Sequence, residues 1–264
     1  MRFVDFEFDG LLLSDMGYVV CDFNGRSSID AVMGAELEFN TFVQQSGAKE
    51  RLVSSQYKEH LECTFQICKK SCNSDIEPLS LEEVRDMYSW LNRKKFYKFK
   101  PLTDEYMGMY FEGSFNVGCI EVNGKTYGME LTFISNRPFG LEEPKTININ
   151  AVNGQKYTIF DTSDDEGCIY PESVEIELSS GGNLTIKNEL ENRSTVINNC
   201  IKGEKITMQY PVIQSSIASH DIQDDFNWNF LRIANTFRNK QNIFTFSLPC
   251  KVKIVYSPIA KVVI

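Results

Sequence analysis

Val174-Glu175-Ile176-Glu177-Leu178 alternates apolar and acidic side chains. Ser179-Ser180-Gly181-Gly182-Asn183 interrupts the run, and Leu184-Thr185-Ile186 resumes it. A period of two belongs to a β-strand, whose successive side chains point to opposite faces, one dry and one wet. A small-residue, glycine-rich break between two such runs predicts a loose hairpin. The same pattern recurs outward in both directions. Phe6 and Phe8, Leu37 and Phe39, and Met129, Leu131 and Phe133 alternate with polar neighbours, as do Phe244, Phe246 and Leu248, and Val252, Ile254 and Tyr256. Each predicts a strand with one face buried. Val122-Asn123-Gly124-Lys125 and Val152-Asn153-Gly154-Gln155 predict tight hairpins, because Asn and Gly accept the positive φ of a type I′ turn. Asn198-Asn199 and Lys202-Gly203-Glu204 punctuate the next pair. Neighbouring strands joined by short loops are the mark of a sandwich or barrel.

One helix interrupts this pattern. Ser80 with Glu83 three residues on forms a capping box, and Leu81, Val84, Met87, Tyr88 and Leu91 follow at helical spacing. Arg93, Lys94 and Lys95 close it with the charge that suits a helix C-terminus. A second, weaker helical stretch is expected over 227–237. Asn136-Arg137-Pro138-Phe139-Gly140 and Glu142-Glu143-Pro144 form a break that no strand should cross, since proline removes a ladder donor. The expectation is mainly β: an α+β part over 1–138 with one helix, and a nearly all-β part over 139–264. No short internal repeat or low-complexity tract is visible.

Composition narrows the function. The 264 residues are 42% hydrophobic and 24% charged, which suits a globular chain. A net charge of −9 argues against a general nucleic-acid binder and against an anionic lipid surface. No run approaches the roughly 18 apolar residues of a membrane span. Asp5, Glu7 and Asp9 interrupt the N-terminus, so no secretion signal is expected. Eight cysteines, at 21, 63, 68, 72, 119, 168, 200 and 250, are scattered with no CxxC pair and predict free thiols, several of them buried. Only His60 lies near the closest group, Cys63, Cys68 and Cys72, which does not make a zinc site.

Motifs for catalysis are missing. There is no GxSxG elbow, HExxH, P-loop or GxGxxG, and the two histidines, His60 and His220, lie near no nucleophile motif. The 36 acidic residues allow a carboxylate pair for glycoside hydrolysis but do not point to one. Asp161, Ser163, Asp165 and Glu172 have calcium-loop spacing. However, Glu166 stands where glycine is wanted, and Gly167 follows one place too late. An acidic surface loop is the plainer reading. Arg93-Lys94-Lys95-Phe96-Tyr97-Lys98-Phe99-Lys100 interleaves cations with aromatics, and it reads as a helix end running into a half-buried strand rather than a nucleic-acid stripe. Trp90 and Trp228 lie in apolar-patterned segments and are expected in the core. The sequons at Asn183 and Asn192 carry no weight without a secretory signal.

The order of segments is more informative than any motif. Phe6-Glu7-Phe8-Asp9-Gly10 and Asp22-Phe23-Asn24-Gly25 are followed by the capped helix with Arg85 and Trp90-Leu91. Tyr110-Phe111-Glu112-Gly113 and Leu131-Thr132-Phe133 then lead to Pro138-Phe139. A β-rich half follows with Pro171-Glu172-Ser173-Val174-Glu175-Ile176 and Leu184-Thr185-Ile186-Lys187-Asn188. It closes with Trp228, Leu231, Asn242-Ile243-Phe244 and Val252-Lys253-Ile254-Val255-Tyr256-Ser257-Pro258. Over essentially its whole length the chain resembles the distal tail protein (Dit) family of long-tailed phages of Gram-positive hosts. At position 241 it carries Gln where family members tend to have glycine. The resemblance implies a ring-forming N-terminal domain over 1–138 and a galectin-like β-sandwich over 139–264. It implies a hexameric ring at the distal end of the tail tube, made in the bacterial cytoplasm and carried in the virion tail tip. The implied partners are further copies of the chain, the tail tube protein, the tail-associated fibre or lysin, and receptor-binding proteins. No catalytic residue, cofactor, metal, membrane or sequence-specific nucleic acid is implied. Two other readings compete: a carbohydrate-binding protein using exposed aromatics as platforms, and a hydrolase with separated carboxylates.

Overall fold

A computed structural model describes residues 3–23, 36–43, 49–57, 60–70 and 77–262. Asn24, Gly25 and Cys72 lie outside the described residues. The chain forms two compact units, residues 1–141 with 261–264, and residues 142–260.

The first unit contains β1 (Phe6–Phe8), β2 (Leu11–Leu12), β3 (Tyr18–Cys21), β4 (Leu37–Val43), β5 (Glu50–Tyr57), β6 (Glu62–Lys69), α1 (Leu81–Leu91), β7 (Tyr97–Pro101), β8 (Met109–Val122) and β9 (Lys125–Ser135). A short β10 (Gly140–Glu142) runs across the division. Its main sheet is antiparallel in the order β2-β1-β7-β8-β9-β6-β3. Asp9 and Gly10 both take positive φ in the β1–β2 turn, and Asn123 and Gly124 do so in the β8–β9 turn, the backbone that a type I′ hairpin requires.

Helix α1 lies against this sheet. The capping box is formed, with the Glu83 amide donating to Ser80 Oγ and the Ser80 amide donating to the Glu83 carboxylate. Met87, Trp90 and Leu91 are the buried face, whereas Leu81 in the first turn is exposed. Trp90 Nε1 donates to the Phe8 carbonyl at 3.0 Å, and its ring stacks on Phe6 at 5.9 Å. The core is aromatic: Phe6, Phe8, Phe65, Phe99, Phe115 and Phe133 are all buried and in ring contact, with Phe99 to Phe133 at 4.5 Å. Offset and edge-on ring pairs of this kind add about 0.5–1.5 kcal/mol each beyond their area.

The second unit contains β11 (Lys145–Ala151), β12 (Lys156–Phe160), β13 (Gly167–Ile169), β14 (Ser173–Leu178), β15 (Gly182–Asn188), β16 (Arg193–Cys200), β17 (Lys205–Gln209), β18 (Val212–Ser215), α2 (Ile222–Asp225), β19 (Ile233–Asn235), β20 (Gln241–Phe246), β21 (Cys250–Tyr256) and β22 (Ile259–Ala260). One sheet runs β11-β21-β14-β17-β18, and another runs β12-β20-β15-β16. Their inner faces share one aliphatic core, with Val174, Ile176, Ile206, Val252 and Ile254 from the first sheet and Leu184, Ile186, Ile197, Phe244 and Phe246 from the second. This is a β-sandwich, antiparallel throughout.

Several local expectations are corrected. The loops 179–183 and 152–155 are not hairpins within a sheet: β14 and β15 belong to different sheets, as do β11 and β12. The same holds for β16 and β17 around Lys202-Gly203. At 152–155 only Gly154 is left-handed, so the I′ geometry is absent and the chain is released toward the opposite sheet. Asn199 lies inside β16, with φ of 52°. The expected helix over 227–237 is replaced by α2 ahead of it and by β19. Asn227 accounts for this: its Oδ1 accepts from the amides of Val196 and Asn229, and its Nδ2 donates to the Ser194 carbonyl. These side-chain bonds compete with a helical ladder. Trp228, expected in the core, takes φ of 56° and is 55% exposed. Strand β4 has no buried face at all.

Candidate functional site

Among the described residues, strands β4 and β5 pair only with each other. The register sets Leu37 opposite Tyr57, Phe39 opposite Ser55 and Thr41 opposite Leu52, with Val53 as the extra residue of a bulge. Alternation therefore puts Leu37, Phe39, Val43 and Leu52 on one face of the ribbon. Phe39 is 57% exposed, Leu52 59% and Val43 61%. The opposite face is mixed: Phe42 is 51% exposed there, while Asn40 Nδ2 donates to Ser54 Oγ at 3.1 Å and Gln56 Nε2 to Glu38 Oε2 at 3.1 Å. At the root, the Tyr57 ring meets Phe139 at 5.8 Å, and the Lys261 ammonium lies 5.5 Å from its centroid. A two-stranded ribbon is marginal by itself, and an uncovered apolar face of this size marks a contact surface.

The two histidines are used differently. His60 is exposed. His220 is buried between two carboxylates, with Nδ1 2.6 Å from Glu204 Oε1 and Nε2 3.2 Å from Asp225 Oδ2. Ser215 Oγ donates to Glu204 at 2.5 Å, and the Ile201 amide donates to the other Glu204 oxygen at 2.8 Å. Burial opposes the charge of both partners. Ser215, the Ile201 amide and His220 nevertheless hold the Glu204 carboxyl below its ordinary value, and Glu204 and Asp225 hold the imidazole above its own. The serine faces the carboxylate rather than the imidazole, so it is not an activated nucleophile. The cluster is a buried clamp.

The calcium-spaced residues are used separately. Asp161 is fully buried, accepting from Ser163 Oγ at 2.9 Å and Asn235 Nδ2 at 3.2 Å, while Glu172 accepts from Ser257 Oγ at 2.5 Å. Among the described residues no three metal-ligating side chains gather. The seven described cysteines are free, with Cys68, Cys200 and Cys250 buried. Burial pushes the Cys63 and Cys200 thiols up to about 11 and the Cys250 thiol up to about 12, which makes them poor nucleophiles.

The basic–aromatic segment is occupied by the fold. The Arg93 guanidinium lies 4.6 Å from the Tyr97 centroid, the Lys98 ammonium 4.0 Å from that of Tyr110, and Phe99 is buried. An open depression of about 250 Å³ lies on the outer face of the five-stranded sheet. It is lined by Glu175, Glu177, Lys205, Lys251 and Lys253, an alternating cross-strand ladder with Lys253 Nζ 3.3 Å from Glu175. Sequence patterning missed the ribbon's exposure and the exposed Trp228. The first signal for the ribbon was Phe42-Val43, which breaks strict alternation.

Comparisons with known proteins agree with a structural role. Residues 1–137 match the model described as a phage tail protein N-terminal domain, and residues 139–256 match that of a phage tail C-terminal domain. No curated protein sequence matches the chain. Among solved structures the chain is similar to the crystal structure of the Dit protein (gp 19.1) of phage SPP1. The TM-score is 0.65 at 9% identity, covering 96% of this chain and 98% of that one. That protein is described as a paradigm of the hub adsorption apparatus in phages infecting Gram-positive bacteria. The two sheets systems, the single capped helix and the unpaired ribbon thus belong to a protein of the phage tail family, a virion tail component with the fold of a distal tail protein.

Proposed function

We propose that this chain is the structural hub at the distal end of a phage tail tube. Copies close into a ring, six by the resemblance to distal tail proteins. The ring attaches the tail-tip fibre or lysin on one side and receptor-binding proteins at its periphery. Residues 1–138 form the ring, and residues 139–264, a galectin-like sandwich, stand outside it. The observation that carries this reading is the β4–β5 ribbon, whose apolar face is uncovered among the described residues. Seating it on the next copy buries Leu37, Phe39, Val43 and Leu52, worth about 1.5–3 kcal/mol per fully covered side chain. A surface patch that meets a different patch on its neighbour gives a head-to-tail contact, and such contacts close into rings when the rotation returns to its start. The net charge of −9 suits a passage that DNA must traverse without sticking.

Light scattering and negative-stain microscopy of the full chain, alone and with its tail tube partner, test this. The expected result is a six-fold ring that the double substitution Phe39→Asp with Leu52→Asp reduces to monomers. A chain that stays monomeric beside its tail tube partner, or a ring indifferent to those substitutions, contradicts the proposal.

A further inference from the structure

Strand β7 is bounded at its two ends by exposed segments of opposite charge. Lys94, Lys95 and Phe96 precede it, between the end of α1 and the sheet; all three are exposed, Phe96 at 58%. Asp104, Glu105 and Met107 follow it, also exposed, Met107 at 76%. The five residues of the strand set the two segments about 17 Å apart. Each is pinned by a neighbour. Arg93 Nη2 donates to the Tyr97 hydroxyl at 3.1 Å, and Ser114 Oγ donates to the Arg93 carbonyl at 2.6 Å. Tyr106 is buried, with its ring 6.3 Å from that of Phe111, and so fixes the turn that presents Asp104, Glu105 and Met107. Both segments are shaped before any partner arrives, which lowers the entropy cost of binding.

The two segments are counterparts. One carries two cations and then a ring; the other carries two carboxylates and, two residues on, a thioether. Among the described residues Lys94, Lys95 and Asp104 enter no ion pair, whereas the adjacent Arg93 is paired with Asp9 at 3.7 Å. A lysine pair or an acidic pair alone is ordinary solvated surface. Here each stands beside an apolar side chain more than half open, and a methionine sulfur packs favourably against an aromatic ring.

We propose that these segments are the two halves of one contact between successive copies of this chain: Lys94, Lys95 and Phe96 of one copy dock on Asp104, Glu105 and Met107 of the next. The inference rests on the ring reading above and gives that contact its direction. Charge complementarity selects the occupant, because a second copy carries the counterpart of each segment and satisfies both at once. Two different patches at opposite ends of one strand make a head-to-tail contact, the kind that closes into a ring. The charges set orientation more than strength, since the reversed arrangement brings like charges face to face. Strand β7 lies between β1 and β8 in the main sheet, so this contact is held by the folded core of the first unit and is separate from the ribbon.

The test is charge reversal in the full chain, read by light scattering on dilution and by negative-stain microscopy. One variant carries Lys94→Glu with Lys95→Glu, the other Asp104→Lys with Glu105→Lys. Each alone is expected to weaken self-association by about tenfold or more. Mixed in equal amounts they are expected to restore it, because the reversed segment of each variant matches the reversed segment of the other and the unreversed segments match as before; strict alternation closes in a ring of six. Rising salt is expected to loosen the parent ring. Unaltered thermal midpoints show that the variants fold. Where a reversal lowers the midpoint, Phe96→Ser and Met107→Ser, which leave every charge in place, are read instead and are expected to weaken assembly. A ring that forms normally from each variant, or a mixture of folded variants that restores nothing, overturns this contact while the ring reading stands. A parent chain that forms no ring beside its tail tube partner overturns both. Variants that form rings normally but lose capture of the tail tube protein assign the segments to that protein and overturn the proposal as well.

Discussion

Phe99 and Phe39 occupy strands of the same unit and meet opposite fates. Phe99 is fully enclosed, with Phe6, Phe115 and Phe133 at 5.4, 5.4 and 4.5 Å. Phe39 projects from the β4–β5 ribbon with more than half its surface open. The difference separates two uses of apolar area within one unit. The sheet spends it on folding, and the ribbon leaves it open among the described residues.

Substitutions should reproduce this division. Phe99→Ala is expected to destabilise the first unit by about 3–5 kcal/mol in urea titrations, since the cavity cannot collapse among fixed rings. Glu204→Gln in the sandwich should cost roughly 1.5–3 kcal/mol by weakening charged hydrogen bonds to His220 and Ser215. Its pH dependence has a definite sign. The raised imidazole contributes stability that is complete below its ordinary value of 6.5 and lost as pH rises through the higher folded value. The lowered Glu204 carboxyl contributes stability that is complete above its ordinary value of 4.5 and lost as pH falls through the lower folded value. Denaturation midpoints should therefore decline on the alkaline side, and His220→Asn should abolish that decline. Ser80→Ala should cost about 1 kcal/mol by removing the helix cap, measurable as a small drop in thermal midpoint. Phe39→Ser should change the stability of the unassembled chain by less than about 0.5 kcal/mol. If Phe39→Ser cost as much as Phe99→Ala, the ribbon would belong to the folding core and the contrast would collapse.

Much of this architecture was readable in the residues. Alternation at 129–133, 174–178 and 252–256 marked buried faces, and Ser80 with Glu83 marked the start of α1. What alternation could not say is what lies against a face. Leu37 and Phe39 carry the same pattern as Val174 and Ile176, but no second layer covers them among the described residues. Turn chemistry was similarly local. Gly181-Gly182 and Asn153-Gly154 reported that the chain bends, and the sheet joined by the following strand depends on distant partners. At 227–237 the apolar spacing suggested a helix, and one side chain, Asn227, redirected the backbone. The exposure of Trp228 followed from that redirection, so it too was hidden from periodicity.

The connections that cross between the sheets of the sandwich bear on how that unit comes to be. Because β11 to β12, β14 to β15, β16 to β17 and β20 to β21 each change sheet, neither layer can finish before the other has begun. Most ladder pairings must wait for loops to close over long sequence separations, as when β11 meets β21. Chains with such non-local pairings fold slowly and cooperatively. During synthesis β21 is therefore a late arrival in its sheet, where it inserts between β11 and β14, two strands already made.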